Sequence, residues 1–173
     1  MRSYLNLVLM AVAVLGAADS AFAQRDAGSK IRGEYNFYGG AAGRSMRSAR
    51  EYSHDYRQYV QTAPATKVNP EVAKEAADSI GDYIAKSQRH TAWMRKQASG
   101  DKETLASLDV IDKNLADAAK SHKELHEICM KEHVEGEGSM TCCQKIDESL
   151  KVAIDEHDKL MKRLVGEKSA TKK

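Results

Sequence analysis

From Ser45 onward, apolar residues recur every three or four positions, the spacing of one face of an α-helix. Three polar or glycine-rich interruptions, TAPATKVNP, SGD and VEGEGSM, divide this pattern into four segments. The pattern predicts helices over about 45–61, 70–98 and 102–133, and a fourth that begins at a Ser139 or Thr141 cap and stops at Gly166. Asn69, followed by Pro70, and Asp101 are the predicted N-caps of the second and third helices.

The same spacing predicts one inward-facing stripe on each helix. These stripes are Met46, Ala49, Ser53, Tyr56 and Val60; Ala73, Ala76, Ile80, Tyr83, Ser87, His90 and Met94; Leu108, Ile111, Leu115, Ala118, His122, Leu125 and Cys129; and Cys143, Ile146, Leu150, Ala153, His157, Leu160 and Leu164. Amphipathic helices joined by short connections are typical of an all-α, antiparallel up-down-up-down four-helix bundle, here over 45–166. Residues 24–44 have no period and predict an irregular N-terminal arm, and 167–173 predict a disordered basic tail.

The first 23 residues have the layout of a cleaved secretory signal peptide. A basic start at Arg2 precedes a short apolar run over 5–16, and Ala21-Phe22-Ala23 is a small-x-small cleavage site. The apolar run is shorter than the ~20 residues of a transmembrane helix. We therefore expect a periplasmic or secreted protein that starts at Gln24 and is not inserted in the membrane after cleavage.

Charge and motifs exclude several classes of function. The chain has 27 basic and 25 acidic residues in interspersed order, with no basic stripe carrying aromatic residues, so nucleic acid is not predicted as a partner. No nucleophile elbow, phosphate loop or dinucleotide fingerprint occurs, and the protein is not predicted to be an enzyme. The sequence identifies no protein partner and leaves a homodimer open.

The stretch HKELHEICMKEHVEGEGSMTCC concentrates side chains that bind soft metals. His122, His126, Cys129 and His133 follow one another along a single helical face, and the next helix begins close to Cys142 and Cys143. Folding the hairpin brings the three cysteines toward each other, and the N-terminus of the fourth helix would lower the pKa of Cys142 or Cys143. Nitrogen and sulfur ligands of this kind suit copper or zinc. The metal-ligand set predicted from this stretch is His122, His126, Cys129, His133, Cys142 and Cys143.

A disulfide is the alternative for the same cysteines. Export places the chain in an oxidising compartment, where Cys129 could pair with Cys143 or with Cys142 and leave the third cysteine over. The protein would then be a disulfide-stapled structural or interaction module without metal or catalysis. In architecture the chain resembles exported four-helix bundles that store copper on cysteine-lined cores. Those proteins carry cysteines on every helix, whereas this one has three at one end, and no residue role is transferred from them.

Overall fold

The computed structural model describes residues 33–63, 68–98 and 100–166, with no account of the side chains of 165 and 166. The predicted signal peptide, the first part of the predicted arm and the basic tail lie outside these ranges. Contacts divide the chain into two units, Met1–Tyr35 and Asn36–Lys173. In the first unit, residues 33–35 are helical, and every contact discussed below belongs to the second unit.

The described residues form four helices and no strand, which confirms the predicted all-α bundle. They are α1 (33–62), α2 (Pro70–Gln97), α3 (Lys102–Cys129) and α4 (Gly136–Gly166). Helix α3 packs against both α2 and α4, and side chains of α1 contact the other three helices. None of the helices in the described ranges is long and apolar enough to cross a membrane.

The prediction of an irregular arm is wrong for residues 33–44, which are helical. The glycine-rich run EYNFYGGAAG belongs to α1, where Ala42 is fully buried beside the predicted stripe. Gly39 and Gly43 lie four residues apart on this face, against Met161 and His157 of α4. The glycines thus allow two helices to approach closely, and packing against α4 outweighs their low helix propensity.

Two of the predicted helix starts are confirmed by their capping hydrogen bonds. The side chain of Asn69 accepts from the Glu71 amide at 2.9 Å, and Asp101 accepts from the Thr104 amide at 3.0 Å. Gly100, in the turn between α2 and α3, has a φ of 94°, which L-residues with a side chain rarely adopt.

The inward stripes agree with the prediction on α1 and depart from it on α2. On α1 the five predicted positions are all buried. On α2 the predicted Ala76, Tyr83 and His90 are only partly buried, and the adjacent residues Ala77, Ile84 and Thr91 are buried instead. The predicted and the observed stripes of α2 share Ala73, Ile80, Ser87 and Met94. They differ between these positions because one helical face can be followed in a step of three and then four residues, or of four and then three. At two of the three pairs, Ile84 and Thr91 face the core in place of the larger Tyr83 and His90, which stay partly exposed.

The junction between α3 and α4 differs from its prediction. Helix α3 ends at Cys129 with Met130 as its C-cap, and α4 begins at Gly136. Ser139 does not cap α4, because its hydroxyl donates to the Glu135 carbonyl at 2.8 Å from within the helix. Thr141 is exposed inside the helix as well. Glu137 in the first turn of α4 favours this earlier start, because its negative charge lies at the positive end of the helix dipole.

Candidate functional site

The ends of α3 and α4 bring three buried thiols together beneath α1. Cys129 is the last residue of α3, and Cys142 and Cys143 are the seventh and eighth residues of α4. Their exposed fractions are 2%, 4% and 1%, and all three are free thiols. Negative charge on Cys129 raises the pKa of both other thiols, so the three groups are near enough to influence one another. We call Cys129, Cys142 and Cys143 the thiol cluster.

Three hydroxyl groups surround two of these sulfurs. The Tyr56 oxygen lies 3.5 Å from Cys129 Sγ, and Ser139, whose hydroxyl donates to the Glu135 carbonyl, lies beside the same thiol. Ser53 lies beside the Cys143 thiol, and its hydroxyl donates to the Cys143 carbonyl at 3.1 Å. Contact with these hydroxyls lowers the pKa of Cys129 and of Cys143.

Burial is nevertheless the dominant effect on the thiols. It raises the pKa of Cys129 and Cys142 above the ordinary thiol value and that of Cys143 to about 12. The expectation that a helix N-terminus lowers these pKa values is wrong. Because α4 begins at Gly136, both of its cysteines lie beyond the first turn, where the dipole acts. The pKa of the Tyr56 phenol is also raised, first by burial and then by its contact with Cys129.

The three predicted histidine ligands have other surroundings. His122 Nε2 donates to the Ala77 carbonyl of α2 at 2.8 Å, and His126 Nε2 lies 3.4 Å from Asp78 Oδ1 on the same helix. His133 is exposed in the connection after α3. The predicted set of six ligands is therefore not assembled. Within residues 33–63, 68–98 and 100–166, no group of three or more histidine, cysteine, aspartate or glutamate side chains is placed to hold a metal ion.

The predicted disulfide is not formed in this structure either, since Cys129, Cys142 and Cys143 are all reduced. The predicted convergence of the three cysteines does occur. The hydroxyls of Ser53, Tyr56 and Ser139 were not among the predicted site residues. Ser53 and Tyr56 could have been found, because a polar group on an otherwise apolar buried stripe needs a hydrogen-bond partner.

A second histidine makes the same kind of contact as His122. His157 of α4 donates from Nε2 to the Gly39 carbonyl at 2.9 Å, and its ring lies over Gly43. The ring of His122 lies in the same way over Gly81, four residues after the carbonyl that it contacts. Both histidines therefore join neighbouring helices, and their role is explained without a metal.

Comparison of the chain with protein-family models, with curated proteins and with solved structures finds no match. The functional argument therefore rests on the geometry of the thiol cluster.

Proposed function

We propose that this protein is an exported helical bundle that binds Cu(I) between the thiol of Cys129 and one thiol of the adjacent Cys142 and Cys143. The observation that carries the proposal is the burial of three free thiols together, with hydroxyl groups beside two of them. Export is supported by the arrangement of the first 23 residues.

The composition of the cluster favours copper over zinc, which the sequence left as equal candidates. Cu(I) is a soft ion for which thiolates are preferred ligands. Structural zinc takes four ligands in a tetrahedron, commonly thiolates with imidazoles. The histidines that would complete such a set are bonded elsewhere, as His122 is to Ala77, or are exposed, as His133 is. Sulfur ligands without an imidazole suit Cu(I) better than they suit zinc.

Binding would exchange protons for the metal ion. As each Cu–S bond forms, the corresponding thiol loses its proton to solvent, and copper stays in the +1 state. Raised thiol pKa values oppose this exchange, so affinity should increase with pH. The Tyr56 hydroxyl can then donate a hydrogen bond to the Cys129 sulfur and stabilise its charge as an outer-shell partner.

The test is a titration of the reduced mature protein with Cu(I) against a chelator of known affinity. We expect binding that tightens between pH 6.5 and pH 8, and a loss of more than about 100-fold in Cys129→Ser, since losing even an outer-shell partner costs about 10- to 100-fold. His126→Ala is the matched control and should retain the wild-type affinity. If Cys129→Ser binds as tightly as the wild-type protein, the proposal is wrong.

A thiol count on protein isolated without reductant separates this function from the alternative. Three titratable thiols in the unfolded protein are expected for a copper site, because a disulfide would remove two of its ligands. One thiol would instead indicate a disulfide-stapled structural or interaction module.

A further inference from the structure

The charges of α2 are separated by sign into the two halves of the helix. Residues 70–83 carry four acidic side chains and one basic side chain, whereas residues 84–97 carry four basic side chains and no acidic one. On α3 and α4 the two signs are mixed along the whole helix. The helix dipole favours this order only in the first and last turns, at Glu71, Arg95 and Lys96. The separation in the middle of α2 therefore needs another explanation.

Most of these charges lie on the outer face of α2 and have no partner of opposite sign within the bundle. Arg95 forms salt bridges with Asp109 and Asp112 of α3, and Asp78 Oδ1 lies 3.4 Å from His126 Nε2. Among the residues that the structure describes, no salt bridge involves the other charged side chains of α2, which are Glu71, Lys74, Glu75, Asp82, Lys86, Arg89 and Lys96. The helix thus presents one uncompensated acidic end and one uncompensated basic end to solvent.

The two ends match each other when two copies of α2 lie antiparallel. With the centre of the pair between Tyr83 and Ile84, residues at equal distances from that centre come level across the interface. The pairs of opposite charge are Glu71 with Lys96, Asp78 with Arg89 and, within one residue, Asp82 with Lys86. Two-fold symmetry makes each pair occur twice. A parallel pair would instead place like charges level, so the pattern favours the antiparallel arrangement and opposes the parallel one.

The same arrangement brings exposed apolar side chains of the two copies together. Phe37 is 63% exposed and contacts Tyr38, which stacks on Trp93 with the ring centroids 4.0 Å apart. Val72, near the other end of α2, is 39% exposed and lies on the side of the helix that faces α1. Two-fold symmetry places α1 of both copies on the same side of an antiparallel α2 pair. Because Trp93 comes level with residue 74 of the second copy, Phe37 of one copy lies close to Val72 of the other.

We infer that this protein forms a two-fold symmetric homodimer in which α2 of one copy packs antiparallel against α2 of the other. Exposed ion pairs contribute little each, so the dimer is weak and sensitive to salt. Helix α2 contains no cysteine, and the thiol cluster lies beneath α1 at the ends of α3 and α4. The dimer therefore does not depend on the proposed binding of Cu(I).

Sedimentation velocity of the reduced mature protein over a range of concentrations tests the inference. We expect a reversible dimer at low ionic strength and a dissociation constant at least about tenfold higher in ~0.5 M salt, because salt screens exposed charges. Circular dichroism at both salt concentrations shows that the fold itself is unchanged.

Charge reversal at one pair then tests the register. Arg89→Glu places like charges opposite Asp78 at two symmetric positions, and we expect the dissociation constant to rise by about tenfold or more. Asp78→Lys should have the same effect. The Asp78→Lys, Arg89→Glu double variant exchanges the two signs and should dimerise as the wild-type protein does. Lys120→Glu, on the exposed surface of α3, is the matched control and should leave dimerisation unchanged.

Three outcomes would overturn the inference. The first is a wild-type protein that stays monomeric at every concentration in low salt. The second is a dimer that Arg89→Glu weakens no more than Lys120→Glu does. The third is a folded double variant that dimerises no better than the two single variants, since positions 78 and 89 would then not meet across the interface. None of these results changes the titration with Cu(I), which tests the thiol cluster separately.

Discussion

At the scale of single residues, a neutral imidazole packed over a helix glycine occurs twice in the described part of the bundle. His157 lies over Gly43 and His122 lies over Gly81, and each ring donates to a backbone carbonyl of the helix it contacts. Burial lowers the pKa of both histidines because it disfavours the imidazolium form. At His157, the neighbouring Asp158 opposes this effect and Arg47 adds to it. The neutral rings are therefore part of the packing between helices.

This makes the stability of the fold sensitive to mild acid. The folded pKa of His157 lies below the ordinary value of 6.5, so the unfolded chain takes up its proton first as the pH falls. His122 acts in the same direction. The free energy of unfolding should thus be highest above the ordinary histidine pKa and should fall as the pH drops below it. Urea denaturation at pH 7.5 and pH 5.5 measures this change.

The comparison variant is His157→Gln, which keeps a donor for the Gly39 carbonyl and does not titrate. Its stability should fall less than that of the wild-type protein over the same interval. An equal loss in both proteins would contradict the assignment to His157. The lowered pKa of Asp158 contributes only at more acidic pH, below its ordinary value of 3.8.

At the scale of the helices, glycines in α1 serve two different purposes. A Cβ atom at Gly43 would lie 2.8 Å from His157 Cε1, which is too close for any real contact. At Gly40 it would meet only the flexible end of Arg44, at 3.3 Å. Close packing against α4 therefore needs a glycine at position 43 but not at position 40.

Two alanine substitutions in the same helix should therefore have opposite effects. Gly43→Ala should destabilise the protein by about 1–3 kcal/mol, the usual cost of overpacking. Gly40→Ala should stabilise it by about 0.5–1 kcal/mol, because alanine is the better helix former. Thermal and urea unfolding of both variants measure the two changes. Destabilisation of equal size in both would show that the contact with His157 is not the cause.

These glycines also show where prediction from sequence reaches its limit. The apolar period located all four helices, and Asn69 and Asp101 identified two of their starts, because capping and periodicity are local properties. The prediction missed the beginning of α1 because its glycines are favourable there through packing against α4, which lies more than 100 residues away in the sequence. On α2, whether Tyr83 or Ile84 faces the core depends on which side of the helix the neighbouring helices pack against.

The candidate site was predictable to the same extent. The convergence of Cys129 with Cys142 and Cys143 followed from a short hairpin. The histidines of the same stretch could not be assigned, because His122 and His126 contact α2, which the local pattern does not reveal.

At the scale of the whole molecule, we predict that the protein is exported and begins at Gln24. The apolar run over 5–16 and the Ala-Phe-Ala site favour cleavage after Ala23. Intact-mass spectrometry of protein purified from its native host should give the mass of a chain starting at Gln24. Replacing Ala21 and Ala23 with bulky residues should block processing, and a processed product of the same mass from that variant would contradict the assigned site.

The contact of His157 with Gly39 joins residues 118 positions apart in the chain. Together with the salt bridge between Arg47 and Asp158 at 2.6 Å, it closes the first helix against the last. Closing so long a loop costs more chain entropy than pairing α2 with α3 or α3 with α4, which are neighbours in sequence. We therefore expect helices that are neighbours in sequence to associate early in folding, and α1 to close against α4 last. A newly made chain would hold the α4-facing side of its first helix uncovered until the last helix is complete.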